Sequence, residues 1–178
     1  DIHGDLGGRR GLIVGGGDMG EIITREMQAA GLKDLTVVHP NERRAEAAAR
    51  TFGCHAALLE PLVERLAGAD VVIASLGQRR HLIGAEAVRE ALRLRRRRPI
   101  FLIDAAVPGD VEPAVNDVDG AFLYTLDDLE RVAMQGRSVR EQEADNARRV
   151  LDEEVGVFLK ARAERAAVPA LAALRRAF

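Results

Sequence analysis

The 178-residue chain lacks features that several classes of protein require. Its single cysteine excludes an internal disulfide, and its formal net charge of −2 argues against a general nucleic-acid binder. No apolar run approaches the roughly 20 residues of a membrane-spanning helix, and we expect no signal peptide. The four histidines are scattered without the spacing of a metal site. These absences predict a cytoplasmic protein that has neither a membrane anchor nor a metal centre.

The clearest positive feature is a glycine-rich turn between an apolar run and a helical pattern. Residues 12–14 predict a buried strand, and residues 15–20 follow with the spacing G-x-G-x-x-G. The helical pattern after the turn has its apolar residues on one side, at Ile22, Ile23 and Met27. This order is typical of dinucleotide sites, where the glycines allow a tight turn and close approach of a pyrophosphate to a helix N-terminus. We therefore assign cofactor binding to Gly15, Gly16, Gly17, Asp18, Met19 and Gly20; the alternative is a glycine turn without a ligand.

Strand and helix patterns then alternate along the chain. Strands are predicted at 35–38, 55–57, 70–75, 99–104 and 121–124, and helices at 42–52, 62–67 and 85–94. Such alternation, with nearly continuous apolar strands, predicts an α/β fold with a parallel, doubly wound sheet of Rossmann type.

The pattern changes near residue 126, where the strands stop. Residues 137–165 predict one long charged helix whose apolar residues recur at steps of three and four: Ala144, Ala147, Leu151, Val155 and Phe158. Such a seam is typical of a helix that pairs with another helix or subunit. We therefore divide the chain into a Rossmann domain, 1–130, and a connecting and dimerisation segment, 131–178, and expect a homodimer. A helix folded back on its own domain is the alternative.

The residues after the second strand bear on the choice of cofactor. An NAD site usually has an acidic residue there for the ribose 2′-OH, whereas this chain has His39 and no carboxylate at 35–41. Asn41 predicts a helix N-cap, and Arg43 and Arg44 follow it. A missing acid with cations nearby favours a 2′-phosphate, hence NADP(H), bound by these two arginines, His39 and Asn41. The alternative is that both arginines lie on a solvated helix face.

Two more segments lie where the fourth and fifth predicted strands end. Ligands bind at the carboxyl edge of an open parallel sheet. We therefore expect backbone groups there to hold the ribose and nicotinamide, at Ser75, Leu76, Gly77, Ala105, Val107 and Pro108. Neither a Ser-His-Asp arrangement nor a pair of carboxylates stands out, so the sequence predicts a cofactor site without catalytic residues.

Two remaining features favour ordinary structural roles. The basic cluster of Arg93 and residues 95–98 follows a predicted helix, where cations complement the helix dipole. We expect a solvated helix end there rather than a phosphate contact. Cys54 precedes a short strand and is expected to be a small buried residue rather than a nucleophile.

Four blocks of this sequence resemble glutamyl-tRNA reductases, and the resemblance covers nearly the whole chain. The blocks are 14–20 (VGGGDMG, similar to the family's V-G-A-G-E-M-G), 73–77 (IASLG), 97–108 (RRPIFLIDAAVP) and 122–129 (FLYTLDDL). Residues 168–175 resemble the opening of that family's dimerisation helices. The order of the blocks makes chance a poor explanation.

The resemblance implies the central domain of an enzyme of tetrapyrrole biosynthesis that reduces glutamyl-tRNA to glutamate-1-semialdehyde with NADPH. In that family a cysteine nucleophile of an N-terminal domain forms a thioester, which hydride from the central domain reduces. Because this sequence starts at Asp1, we expect that it lacks that N-terminal domain. We therefore expect a fragment that is inactive alone, whose partners are a second copy and, through the full-length protein, glutamyl-tRNA.

The sequence departs from the family pattern at two places. Family members carry Asn-Arg-Thr or Ser-Arg-Thr where residues 39–41 (HPN) stand, which weakens the NADP assignment, and Gly109 replaces a frequent arginine, which predicts a looser contact with substrate or a neighbouring domain. Two other functions stay open. One is a non-catalytic dimerising module that binds a nucleotide or nothing. The other is a dehydrogenase of shikimate-dehydrogenase or sirohaem-precursor type, although residues 124–129 and the long helix argue against it.

Overall fold

The structure, a computed structural model, describes residues 6–78 and 80–134. Its elements are β1 (Arg10–Gly15), α1 (Asp18–Ala29), β2 (Asp34–His39), α2 (Glu42–Phe52), β3 (His55–Leu58), α3 (Leu62–Gly68), β4 (Val71–Ser75), α4 (Ala85–Leu94), β5 (Ile100–Asp104) and β6 (Ala121–Thr125). A short 3-10 helix, Pro113–Asp117, precedes β6, and another helix begins at residue 126. The strands β1 to β6 and the helices α1 to α4 lie where the sequence predicts them, whereas the 3-10 helix and the helix that begins at residue 126 were not predicted.

The strands form one parallel sheet in the order β3-β2-β1-β4-β5-β6. At its centre Ile13 of β1 pairs with Val37 on one side and with Ile73 on the other. The chain moves outward from β1 through β2 and β3, then returns to β4 and moves outward in the opposite direction. The predicted doubly wound Rossmann-type fold is therefore confirmed, and its switch point, where such folds bind ligands, lies between β1 and β4.

Apolar side chains cover both faces of the sheet. On one face Leu12 and Val72 belong to a cluster with the helices α3 and α4, which contribute Leu66 and Val88. On the other face Ile13 and its neighbours pack with residues of α1 and α2. Strands β1 and β4 are buried on both faces, as continuous apolar runs predict for central parallel strands.

Of the three apolar residues predicted to share one side of helix α1, two pack against the core and one does not. Ile22 is 55% exposed, while the fully buried residues of the helix are Gly20 and Thr24. Ile23 and Met27 are only partly buried against the core. Because Gly20 sets the face that packs on β4, a residue two positions later lies about 200° around the helix and points to solvent.

The chain divides into two units, 1–129 and 130–178. The predicted helix at 137–165, its apolar seam and the block 168–175 lie outside the described residues. The homodimer and the assignment of 131–178 to dimerisation therefore stay predictions. Of the helices that the structure describes, none is long and apolar enough to cross a membrane.

Candidate functional site

The glycine turn packs directly against the end of β4. Gly15 pairs with Ser75 in the sheet, and the N–H of Gly17 donates to the carbonyl oxygen of Ser75 at 3.2 Å. A Cβ on Gly17 would lie 2.9 Å from that oxygen, and a Cβ on Gly20 would overlap Oγ of Ser75. The missing Cβ atoms therefore let the turn pack on β4, in addition to any role in the approach of a ligand.

Helix α1 begins with free backbone donors. Its N-cap, Gly17, has no side chain with which to accept a hydrogen bond from the first turn. Gly16, Asp18 and Met19 are exposed around this N-terminus. Uncapped N–H groups and the positive end of the helix dipole form an arrangement that binds anions such as phosphate.

A cleft of about 380 Å³ lies beside the turn, between the end of β2 and helix α2. Of the residues predicted to select the cofactor, His39 and Arg44 line it, whereas Asn41 and Arg43 do not. Asn41 has the predicted capping role, because its Oδ1 accepts the backbone N–H of Arg44 at 3.2 Å. The structure therefore places one arginine of the pair at the cleft and leaves the other on the exposed face of α2.

His39 is held as a neutral ring. Its Nδ1 accepts the backbone N–H of Asn41 at 2.8 Å. Partial burial, and secondly the positive charge of Arg44, hold the pKa of His39 below its ordinary value of 6.5. At neutral pH the cation beside the cleft is therefore Arg44, and His39 adds a ring N–H donor rather than a charge.

The loop after β4 is held by Asp110, a fully buried residue for which the sequence predicts no role. Its carboxylate accepts three consecutive backbone N–H groups, those of Leu76, Gly77 and Gln78. The distances for the last two are both 3.0 Å. The N–H groups of Leu76 and Gly77 are therefore occupied, and the carbonyl oxygens are the backbone groups that this loop offers a ligand.

The loop after β5 is held in the same way by Asp104, which is also buried. Its carboxylate accepts the backbone N–H groups of Ala106, Asp110 and Val111 at 3.2, 3.2 and 2.9 Å. A Cβ on Gly109 would lie only 2.7 Å from Asp104 Oδ2. The packing around Asp104 therefore leaves little room for a side chain at Gly109, where the family frequently has an arginine.

The three residues predicted to form a site in this loop differ in accessibility. Ala105 is buried, and its N–H donates to the carbonyl oxygen of Ala74 in β4. Val107 is 83% exposed, and Pro108 is exposed beside it. Val107 and Pro108 can therefore contact a ligand at the carboxyl edge, while Ala105 joins the two strand ends.

The sequence predicts that the whole basic cluster is a solvated helix end. This prediction is wrong for Arg95. Arg95 is buried, and its guanidinium forms an ion pair with Asp70 at 2.7 Å. The same side chain donates to the carbonyl oxygens of Leu66 and Ala69, which end helix α3. Arg95 therefore ties the end of α4 to the end of α3, and the residues exposed as expected are Arg93, Arg96, Arg97 and Arg98.

Cys54 lies at the edge of the sheet opposite the glycine turn. It immediately precedes β3, whose first residue, His55, pairs with Thr36 near the start of β2. Its side chain packs against the core, and burial raises the pKa of the thiol. Among residues 6–78 and 80–134, no group of three His, Cys, Asp or Glu side chains is arranged to hold a metal ion.

The relatives of this chain match its fold and its motifs. A family model described as shikimate / quinate 5-dehydrogenase matches residues 1–132. The chain belongs to that family. It is 45% identical, over all 178 residues, to the glutamyl-tRNA reductase of Rhodospirillum rubrum and covers 41% of that protein. It is 42% identical over 174 residues to the one from Natranaerobius thermophilus and covers 38% of it. The resemblance to glutamyl-tRNA reductases is therefore confirmed.

Solved structures agree with this relationship. The glutamyl-tRNA reductase of Methanopyrus kandleri matches with a TM-score of 0.75 and 34% identity, over 86% of this chain and 39% of that one. The nucleotide-binding domain of the Thermoplasma volcanium enzyme shares the fold, with a TM-score of 0.57 and 18% identity over 76% of this chain and 88% of that one. The chain thus spans about two-fifths of the first relatives' length.

The lengths of the two matches distinguish a glutamyl-tRNA reductase from a dehydrogenase that shares only the Rossmann core. The shikimate / quinate 5-dehydrogenase model ends at residue 132, near the end of the sheet, whereas the Rhodospirillum rubrum protein matches through residue 178. Homology to glutamyl-tRNA reductases, which are oxidoreductases, therefore extends beyond the shared dinucleotide-binding core. A Rossmann-type nucleotide-binding domain in such relatives supports a nicotinamide cofactor.

Proposed function

We propose that this chain is the NADP(H)-binding domain of a glutamyl-tRNA reductase, which supplies hydride for the reduction of glutamyl-tRNA to glutamate-1-semialdehyde in tetrapyrrole biosynthesis. The observation that carries the proposal is the convergence of three features on one cleft: the glycine turn, the uncapped N-terminus of α1, and Arg44. The 45% identity to a glutamyl-tRNA reductase supports the reaction class.

We assign each part of the cofactor to residues of the cleft or of the carboxyl edge beside it. The pyrophosphate would bind at the N-terminus of α1, where Gly16 and Gly17 line the cleft and leave the backbone accessible. The adenosine ribose would lie toward His39 and Arg44, at the end of β2. The nicotinamide would lie at the carboxyl edge near residues 76–77 and the exposed Val107. When bound, the nicotinamide supplies the hydride, and this domain orients it.

Preference for NADP(H) over NAD(H) rests on Arg44. An arginine can form a charge-assisted hydrogen bond with a 2′-phosphate, whereas the end of β2 has no carboxylate to accept from a free 2′-OH. Because the pKa of His39 is lowered, we do not assign the preference to a histidine cation. A preference carried by Arg44 persists above neutral pH.

The thioester chemistry is assigned to the remainder of a longer protein. Formation of a thioester needs an accessible thiolate next to the nicotinamide. The chain's single cysteine, Cys54, precedes β3 at the opposite edge of the sheet, and burial raises the pKa of its thiol. We therefore propose that this chain alone reduces nothing, that contact with glutamyl-tRNA belongs to the whole protein, and that residues 131–178 contribute to a homodimer.

Calorimetric titration tests the cofactor assignment. The purified chain should bind NADPH saturably and about tenfold more tightly than NADH, since a hydrogen bond to a charged group contributes about 1.5 kcal/mol or more. A folded chain that binds neither dinucleotide would refute the proposal.

An assay of NADPH oxidation tests the proposal that this chain alone is inactive. The purified chain, mixed with charged glutamyl-tRNA and NADPH, should leave the cofactor unoxidised. Oxidation that the Cys54→Ser variant abolishes would contradict the assignment of the catalytic thiol to another domain.

The departure at His39-Pro40 favours one competing function, a non-catalytic nucleotide-binding module. Cofactor binding without glutamyl-tRNA reduction by the full-length protein would support that alternative.

A further inference from the structure

The carboxylate of Asp110 is the most completely buried charge near the cleft. Asp110 is 0% exposed, and among residues 6–78 and 80–134 no ion pair includes it. Burial of a carboxylate is unfavourable unless hydrogen bonds replace its hydration. Here the replacement comes from the backbone N–H groups of Leu76, Gly77 and Gln78. The carboxylate and the loop therefore depend on each other.

The far end of the same loop is held by the carbonyl oxygen of Asp110 and by the side chain of Glu112. The N–H groups of Leu82 and Ile83 donate to the carbonyl oxygen of Asp110 at 2.7 and 3.0 Å. The carboxylate of Glu112 accepts the N–H of Ala85, the first residue of α4, at 2.7 Å. These bonds do not involve the Asp110 side chain. A change confined to that side chain therefore leaves the connection to α4 in place and releases only residues 76–78.

Residues 76–78 follow directly from Ser75, which pairs with Gly15 at the switch point of the sheet. Leu76 lines the same cleft as the glycine turn. With their N–H groups taken by Asp110, these residues offer carbonyl acceptors to a ligand. Acceptors suit ribose hydroxyl groups and the amide N–H of a carboxamide, not a phosphate.

We infer that Asp110 is a positioning residue, which acts through residues 76–78 to fix the backbone against which the nicotinamide half of the cofactor binds. The inference rests on the proposed function. It separates the two halves of the site. Arg44 and the end of β2 select the adenosine half, and the Asp110 side chain acts on the other half alone.

The test compares the binding of the complete cofactor with the binding of its adenosine half. NADPH and 2′,5′-ADP, which has the adenosine phosphates but no nicotinamide, are titrated against wild type, Asp110→Asn and Asp119→Asn. The asparagine at 110 keeps the size of the side chain, but it loses the charge and replaces one acceptor by a donor. We expect Asp110→Asn to weaken NADPH about tenfold, as loss of one charged hydrogen bond does, and to leave 2′,5′-ADP unchanged. The control Asp119→Asn changes an exposed carboxylate and should alter neither affinity.

Each outcome has a separate meaning. Wild-type protein that binds neither ligand would refute the proposed function. Wild-type binding with equal weakening of both ligands in Asp110→Asn, or with no weakening of either, would overturn the positioning role alone. Asp110→Glu keeps the charge but moves the carboxylate by one methylene, and we expect the same split between the two ligands. If neither variant at position 110 folds, Asp110 is required for the fold, and the positioning role is rejected.

Discussion

Asp104, the last residue of β5, accepts the backbone N–H of Asp110 at 3.2 Å. Each of these two buried carboxylates accepts three backbone N–H groups. Since Asp110 in turn holds residues 76–78, the end of β5 determines the position of the loop that follows β4. Both loops at the carboxyl edge are therefore coupled through hydrogen bonds to two aspartates. A change of the Asp104 side chain should affect both loops, whereas a change of the Asp110 side chain should affect only the loop after β4.

The first prediction concerns Gly109, whose Cβ would lie 2.7 Å from Asp104 Oδ2. We expect Gly109→Ala to lower the free energy of unfolding by about 1–3 kcal/mol, because the carboxylate must move and loosen its bonds to the backbone. Gly68→Ala is the matched control, since a Cβ there meets nothing within 4 Å and alanine favours the helix. Urea unfolding measures both. Equal midpoints for the two variants would contradict the packing around Asp104.

The second prediction concerns the contact between Gly20 and Ser75. A Cβ on Gly20 would overlap Oγ of Ser75 and lie 2.5 Å from its Cβ. Gly20→Ala should therefore destabilise the protein by about 1–3 kcal/mol. In a Ser75→Gly background both clashing atoms are gone, and the same substitution should cost clearly less.

A double-mutant cycle in urea measures this coupling. We expect a coupling energy of about 1 kcal/mol or more, as residues in direct contact show. Gly16→Ala is the control, because its Cβ would lie at an ordinary 3.6 Å from Cβ of Ala48 and should not couple to Ser75. Additive effects of the Gly20 and Ser75 substitutions would mean that the helix does not pack on β4 as the structure has it.

The sequence predicts the framework of this site because local patterns determine it. Apolar runs such as 71–75 predict the central strands, and the glycine spacing at 15–20 predicts the edge where the cleft lies. Asn41 precedes a helical pattern, and its capping role depends only on residues three positions away. These features need no knowledge of distant parts of the chain.

The features that the sequence did not predict depend on distant contacts. Asp110 binds backbone groups 32 to 34 residues earlier, and backbone N–H groups have no signature in the order of side chains. Arg95 belongs to a run of arginines that is typical of a surface, yet the end of α3 and Asp70 bury it. Ile22 is exposed because Gly20 decides which face of α1 meets the sheet.

The third prediction concerns the ion pair between Asp70, which is partly buried, and the buried Arg95. Their side chains are 14% and 0% exposed, and burial outweighs the partner's influence to hold the pKa of Arg95 below its ordinary value. Asp70→Asn removes the countercharge from a guanidinium that stays buried, and should cost about 3–5 kcal/mol. Arg98→Gln, at 4.0 Å from the same carboxylate but 57% exposed, should cost about 1 kcal/mol or less. Equal losses of stability would show that Arg95 is hydrated.

The fourth prediction concerns pH and His39, whose folded-state pKa lies below the ordinary 6.5. As the pH falls below 6.5, the unfolded chain takes up the proton first, so protonation favours unfolding. Stability that is present above pH 6.5 should be lost as the pH falls toward the folded pKa. The free energy of unfolding, measured with denaturant at pH 7.5 and 5.5, should fall less between these two pH values in His39→Gln than in wild type. His55→Gln keeps His39 and should behave as wild type. An identical pH dependence in both variants would contradict this role of His39.

The last prediction assigns the cofactor preference to one of two adjacent arginines. Arg44 lines the cleft and Arg43 does not. A hydrogen bond to a charged group contributes about 1.5–3 kcal/mol, and about 1.4 kcal/mol corresponds to tenfold in affinity. We expect Arg44→Gln to weaken NADPH about tenfold and to leave NADH nearly unchanged, since only NADPH has the 2′-phosphate. The backbone N–H of Arg44 that Asn41 caps is retained in this variant, so helix α2 should still form. Arg43→Gln should alter neither affinity. Equal weakening of both cofactors by Arg44→Gln would place this side chain at a part of the cofactor that NADH and NADPH share.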